Sequence, residues 1–440
     1  MAVADLIADL RKKEKIEKYW DFRKDDKREH VHSMIKYPAV MVPNMQGEIF
    51  DLILKNDPDI HNVLDPFMGS GTILVEGLVR KLDVIGIDIN PLSYLTVIAK
   101  TQKYGISTLY EKANLLIQRI DSLVNKKIKP YSFEGIKKWY KPSVIDSLSK
   151  IRFCILQESE LKYRRLFWVT FADIAKEADN ARTSTFKLHI KTQEDIQATN
   201  YDCIAKFKEK LSSNIQAVIE FKGLIYHNTS KLYLGDSKTI LEDRRSFKKN
   251  SIDLVITSPP YGDNATTITY GQYSVLPLRW IPLNDIHELI SKDIIASLSK
   301  IDKESLGGVN YSLDVIKNCG ILEESKELKK FYDALMENEK IEKARKVASF
   351  ITDFSNVIEN LEPIIKPGKL LVFTVGNRHV NNIEFPFHLI LKELANCYGM
   401  DMKYDFRRNI IKNKNILVLA FLFNFFLAII SHLSKRIISH

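Results

Sequence analysis

Cysteine is scarce in this 440-residue chain: there are four, Cys154, Cys203, Cys319 and Cys397, and no two form a CxxC pair. A disulfide scaffold and a zinc ribbon are thereby excluded, and a reducing, cytoplasmic setting is expected. Glycine (17) and proline (14) are also few, which excludes collagen-like and low-complexity architectures. The amino-terminal stretch MAVADLIADLRKKEKIEKYW is charged and amphipathic and lacks the apolar core of a secretory signal. No GKS or GKT follows the one Gly-rich turn, so a P-loop is excluded. GxGxxG is missing too, because Gly69-Ser70-Gly71 runs into Thr72-Ile73-Leu74. The ten histidines are scattered and no Cys, His and acid cluster has ligand spacing, so no metal is expected.

Long apolar runs are missing until the end, where 416–430 reads ILVLAFLFNFFLAII. That is shorter than the roughly 20 residues of a membrane span. A buried strand or helix, a terminus foreign to the fold and a membrane anchor are the three readings, and the membrane is the least favoured. Acidic excess is absent as well. Lys and Arg number 65 against 55 Asp and Glu, a formal +10, and residues 101–225 hold 22 of the bases against 14 acids. A basic stretch suits a polyanionic partner, although solvated helix faces carry such charge equally well.

What is present is an alternation of strand and helix patterns. Residues 1–30 read as a charged helix. NVLD, a glycine turn, TILVEGLVRK, DVIGID and NPLSYLTVIAKT then follow over 62–101, with Asn90 and Pro91 as helix cap and first-turn proline. Residues 105–225 read as helical. KLYLGD and the apolar IDLVI return to strand character, 265–365 is helical again, and KPG (366–368) is a turn before the strand LLVFTVGN and a helix at about 385–397. Strands alternating with helices predict an α/β fold with a parallel, doubly wound sheet, interrupted by two helical insertions. The expected segments are 1–104, a basic insertion 105–228, 229–263, a second insertion 264–365, 366–412, and the apolar tail 413–440.

Three motifs carry chemistry. In Asp65-Pro66-Phe67-Met68-Gly69-Ser70-Gly71-Thr72, glycines let the backbone turn sharply and approach a ligand at a helix N-terminus. Alone it is no more than a tight βα turn. Asp88, ending the next strand, is placed to accept hydrogen bonds from ribose hydroxyls. Thr257-Ser258-Pro259-Pro260-Tyr261 follows the apolar strand. Two prolines fix φ twice and remove two N–H donors, leaving a stiff rim of carbonyls beside the Ser258 hydroxyl and the flat face of Tyr261. Such a rim holds an exocyclic amine, whose delocalised lone pair makes it a poor nucleophile until its hydrogens are gripped.

DPFMGSGT, GIDINP and TSPPY, in this order, resemble the amino-group DNA methyltransferases that use S-adenosylmethionine. The resemblance covers roughly 31–100, 230–280 and 360–410 and implies a Rossmann-like methyltransferase sheet. It assigns Asp65, Phe67, Gly69, Gly71 and Thr72 to the methionine side of the cofactor, Asp88 to the ribose and Asp236 to the adenine amine. His32-Ser33-Met34-Ile35-Lys36-Tyr37-Pro38-Ala39 is similar to the segment that closes over the cofactor, so Tyr37 and Pro38 join the set. Ser258, Pro259, Pro260 and Tyr261 become catalytic, and a serine before Pro-Pro-Tyr is the pattern of cytosine-N4 enzymes. Double-stranded DNA is the implied partner, read by the basic insertion or by the second one, and a cognate restriction endonuclease the functional one. Adenine-N6 transfer, RNA guanine-N2 transfer and a non-catalytic DNA-binding relic are the alternatives. At Arg407-Arg408-Asn409-Ile410 the chain departs from the family pattern and enters the apolar tail, so the last part of the sheet is expected to be missing or altered.

Overall fold

The computed structural model describes residues 3–22, 29–182, 187–225, 228–262, 267–410 and 414–423. A seven-stranded sheet forms its centre. In chain order its strands are β1 (Asn62–Asp65), β2 (Asp83–Asp88), β3 (Ser230–Leu234), β4 (Ile252–Thr257), β5 (Ile365–Gly376), β8 (Met400–Ile410) and β9 (Lys414–Phe423). In space the order is β3-β2-β1-β4-β5-β9-β8. The first five are parallel, and β9 lies antiparallel between β5 and β8. Between them a small hairpin, β6 (Arg378–Val380) and β7 (Ile383–Phe385), follows the end of β5. The α/β doubly wound reading therefore holds.

The central strands are apolar on both sides, and the two sides belong to different cores. Val63, Leu254, Ile256, Leu370 and Val372 face one layer, while Leu64, Ile252, Val255, Leu371 and Phe373 face the other. Period-two alternation sends neighbouring side chains to opposite faces, so a run with no polar gap must be covered twice. The first layer contains the helices Pro43–Asn56, Thr72–Val79 and Pro91–Thr101 together with the basic insertion. The second is built from the stretch 306–361 and the helix Phe387–Cys397.

The basic insertion is a structural layer and not an appendage. Its helix Leu161–Glu177 buries Phe167, Trp168 and Phe171. Arg164 makes a two-pronged bond to the buried Asp285, at 2.7 Å to each oxygen, and Trp168 Nε1 donates to the same carboxylate at 2.8 Å.

Three expectations change. The amino-terminal helix stops at Glu14, and the next described element is a short 3-10 turn at Tyr19–Asp21. KPG is not a turn outside the sheet but a bulge inside β5: the register jumps from Ile252↔Ile365 to Leu254↔Leu370, with Gly368 at φ +74°. The tail does not truncate the sheet. Its residues 414–423 form β9, paired along β5 from Leu370↔Leu422 to Gly376↔Ile416 and with β8 on its other side. A strand needs only about 3.3 Å per residue, so an apolar run too short for a bilayer is long enough to cross a sheet. Residues 424–430 of that run lie outside the described part. Among the described residues no helix is long and apolar enough to cross a membrane.

Candidate active site

The parallel order places the C-terminal ends of β2, β1, β4 and β5 side by side at one rim. Each expected motif follows one of these ends, so loops distant in sequence become neighbours. A cleft of about 1320 Å³ opens there. Tyr37, Phe67, Gly69, Thr72, Asp88, Asp236, Ser258, Pro259, Pro260 and Tyr261 all line it. Three other expected residues stand behind the wall: Asp65 is buried, Pro38 is buried, and Gly71 is packed against Val97, where an added Cβ would come within 2.8 Å of Cγ2.

The glycine bend has left-handed backbone at Gly69 (φ +48°) and Gly71 (φ +79°), a conformation that side-chain-bearing residues adopt at a cost. Asp88 shapes it. Its Oδ2 accepts from the Gly69 N–H and its Oδ1 from the Asn90 N–H, both at 2.8 Å. Asp88 thus supports the bend from a position on the cleft wall. Burial pushes its carboxyl above the usual range, opposed by these backbone donors.

Asp65 plays a different part from the expected one on the cofactor wall. Its Oδ1 accepts from the Phe67 N–H at 3.0 Å and from the Thr257 hydroxyl at 2.6 Å. It thus clamps the end of β1 to the end of β4, one residue before Ser258. Its other oxygen is buried without a partner. Burial pushes this carboxyl up to about 7.

The rim at 258–261 is fixed from β5. Ser258 Oγ donates to the Thr374 carbonyl at 2.9 Å and lies 3.2 Å from the Tyr261 hydroxyl. With its one hydrogen committed, Ser258 faces any other molecule as an acceptor. The Tyr261 ring lies against Gly376, where an added Cβ would come 2.9 Å from Cε2.

Several partners of the expected residues, and further residues of the cleft, were not read from the sequence. Asn90, buried, donates through Nδ2 to the Tyr37 hydroxyl (3.2 Å) and to Ser274 Oγ (2.8 Å). Its Oδ1 accepts from the Leu92 N–H at 3.0 Å, which is the capping role its NP signature predicts. Tyr37 also stacks on Tyr270, with centroids 5.8 Å apart. Asp236 caps a short helix through the Lys238 N–H, and Lys238 reaches the buried Asp353 at 2.6 Å. Gln46, from the helix Pro43–Asn56, lines the cleft with a buried, unpartnered Oε1. Asn377, Glu384, His388 and Arg407 also line the cleft.

One group of metal-type ligands does come together among the described residues, though no spacing announced it: His30, His32 and Glu76. Both Glu76 oxygens are engaged, one by His32 Nε2 at 2.8 Å and the other by Arg80 at 2.6 Å. The arrangement reads as an ion-pair network that pins the segment before Tyr37 to the helix Thr72–Val79.

Comparison with known proteins agrees with this construction. No protein-family model matches the chain. The type II methyltransferase M.MvaI of Kocuria varians is 30% identical over 405 residues, 89% of this chain and 87% of that protein. The type II methyltransferase M.MjaII of Methanocaldococcus jannaschii is 28% identical over 169 residues, 33% of this chain and 31% of its own length. Among solved structures, the rRNA methyltransferase AviRa of Streptomyces viridochromogenes aligns over 87% of this chain and 86% of its own at 10% identity and a TM-score of 0.32, too distant to add to the strand order itself. The near full-length identity to M.MvaI, on a sheet whose rim gathers DPFMGSGT, GIDINP and TSPPY into one cleft, shows that the chain belongs to the type II methyltransferases, the DNA-modifying family of restriction–modification systems.

Proposed function

We propose that this methyltransferase transfers the methyl group of S-adenosylmethionine to the exocyclic N4 amine of cytosine in double-stranded DNA. The observation that carries the reading is the acceptor-only presentation at Ser258: its hydrogen is given to Thr374, and prolines follow at 259 and 260. An amine offers hydrogens and needs acceptors, and Ser258 Oγ and the Pro259 carbonyl supply them.

The cleft fits the cofactor. Tyr37 and Phe67 offer aromatic surface, Asp88 and Asp236 are acceptors for hydroxyls or an amine, and Gln46 Oε1 is a buried acceptor awaiting a donor. The expected holders are Tyr37, Pro38, Asp65, Phe67, Gly69, Gly71, Thr72, Asp88 and Asp236, with Asp65 and Gly71 acting through the shape of the bend. When bound, the cofactor supplies an electrophilic methyl on a sulfonium. The chain's own part is orientation. Ser258 Oγ and the Pro259 carbonyl hold the amine hydrogens, and Tyr261, braced on Gly376, stacks the base. The sulfide that leaves is neutral, so alignment is worth more here than stabilisation of an anion. A paired base cannot reach this rim, so the target nucleotide leaves the duplex first. The basic insertion supplies phosphate contacts. A restriction endonuclease of the same specificity is the expected functional partner.

Double-stranded DNA incubated with the protein and labelled cofactor, then digested to nucleosides, tests the proposal. Label in N4-methyldeoxycytidine supports it; label in N6-methyldeoxyadenosine redirects it to adenine. Transfer to RNA and not to DNA overturns it.

A further inference from the structure

The transfer proposed above leaves a proton without a destination. The amine attacks carbon, the N–C bond forms, the C–S bond breaks, and the nitrogen then carries a positive charge until it loses one hydrogen as H⁺. Ser258 and the Pro259 carbonyl can accept hydrogen bonds, but neither can hold a proton near neutral pH.

A base is built into the same cleft. The residue after Gly376, on which Tyr261 rests, is Asn377. Its Nδ2 donates to Glu384 Oε1 at 2.7 Å. This fixes which way the amide faces, so Oδ1 is the atom that meets His388 Nδ1, at 3.0 Å. A carbonyl oxygen can only accept, so Nδ1 carries the hydrogen and, in the neutral ring, Nε2 carries the lone pair. Among the described residues Nε2 has no hydrogen-bond partner, and His388 lines the cleft. It is the second residue of the helix Phe387–Cys397.

The charged groups around the ring are Arg407 and Asp405 on β8, Glu384 on β7 and Glu327 on the helix Lys326–Glu337. Burial and then Arg407 lower the imidazole below its usual value, against the three acids, so the ring is neutral at pH 7. An aminium conjugated to a base ring is strongly acidic, and a weak imidazole base suffices to deprotonate it.

We propose that His388 Nε2 receives the proton released by the methylated amine and passes it to solvent, with Glu384 and Asn377 as positioning residues that set its tautomer. The inference rests on amine transfer as read above and holds for cytosine or adenine alike.

The test is single-turnover methylation of duplex DNA by the full chain across pH 5 to 8. In wild type the rate should fall on the acid side as the imidazole protonates. His388→Ala should lose on the order of ten- to a hundred-fold in rate, lose that acid limb, bind cofactor and DNA as wild type does, and regain rate with added imidazole. Glu384→Gln, on an exposed hairpin, should lower the rate less and move the limb; it serves if His388→Ala does not fold. Wild-type rates in both variants overturn the proposal. A rate loss in His388→Ala with the limb retained and no imidazole rescue also overturns it, because a packing role does that. Failure of the parent reading is distinguishable: wild type would then place no methyl on a DNA amine.

Discussion

The clamp between Thr257 and Asp65 holds the glycine bend and the rim at 258–261 in one geometry, and replacing Thr257 by Val tests it with almost no change of shape. Both residues are fully buried, and the hydroxyl donates to Asp65 Oδ1 at 2.6 Å. Burial raises the Asp65 carboxyl from 3.8 to about 7. The folded protein therefore holds a proton that the unfolded chain has already released, and the stability this group contributes is present below pH 3.8 and is lost as pH rises through 7. Thr257→Val removes a donor that favours the charged form. At pH 6 the carboxyl is mostly neutral and the missing bond should cost about 1 kcal/mol; at pH 8 it is charged and the loss should be about 1.5–3 kcal/mol. Urea denaturation of wild type and variant at the two pH values measures the difference. An equal shift of midpoint at pH 6 and pH 8, or none at either, would refute the assignment of a buried carboxyl titrating near neutrality against this hydroxyl.

Gly376→Ala should depress methyl transfer at least ten-fold while leaving cofactor affinity within about two-fold, because its Cβ would drive the Tyr261 ring from 2.9 Å and misaligned reactants lose proximity catalysis; calorimetry with the cofactor and a transfer assay separate the two effects. Gly71→Ala places a side chain at φ +79° against Val97 and should destabilise the fold by about 1–3 kcal/mol, seen as a lower denaturation midpoint. Asn90→Ala removes the bridge from Tyr37 to Ser274 and should raise the cofactor dissociation constant several-fold; unchanged affinity in calorimetry would show that Tyr37 is held by stacking alone. Deleting 414–440 strips β9 from between β5 and β8 and leaves two unpaired strand edges, so the product should be found in the insoluble fraction after expression; a soluble, cooperatively unfolding product would deny β9 its structural role.

Much of the site was legible because its chemistry is written in short, contiguous runs. DPFMGSGT needs its glycines within three residues to bend one loop, and TSPPY stiffens one strand end, so both declare themselves without a partner in view. The alternation of apolar strands with helical spacing likewise announced the parallel sense of the first five strands, whereas their spatial order came from the fold. Asn90 was legible only as a helix cap, since a side chain's local bond is visible in sequence and its bonds to Tyr37 and Ser274, far along the chain, are not. The tail stayed open for a related reason: Ile416 and its neighbours are apolar under any of three fates, and only the fold shows that 414–423 takes the first of them, a strand of the sheet.

The sequence by itself determined the strand–loop–helix units and the two prolines that stiffen the loop at 258–261, and it raised the expectation of a methyl-donating cofactor. Only the tertiary structure decided that Asp65 turns inward to Thr257, that Glu384, Asn377 and His388 are joined by hydrogen bonds at the cleft, and that 414–423 completes the sheet. The reason is range. Backbone stiffness, glycine freedom and capping act over a few residues and are encoded where they act, whereas burial and hydrogen bonding across strands depend on which distant segments the sheet order makes neighbours.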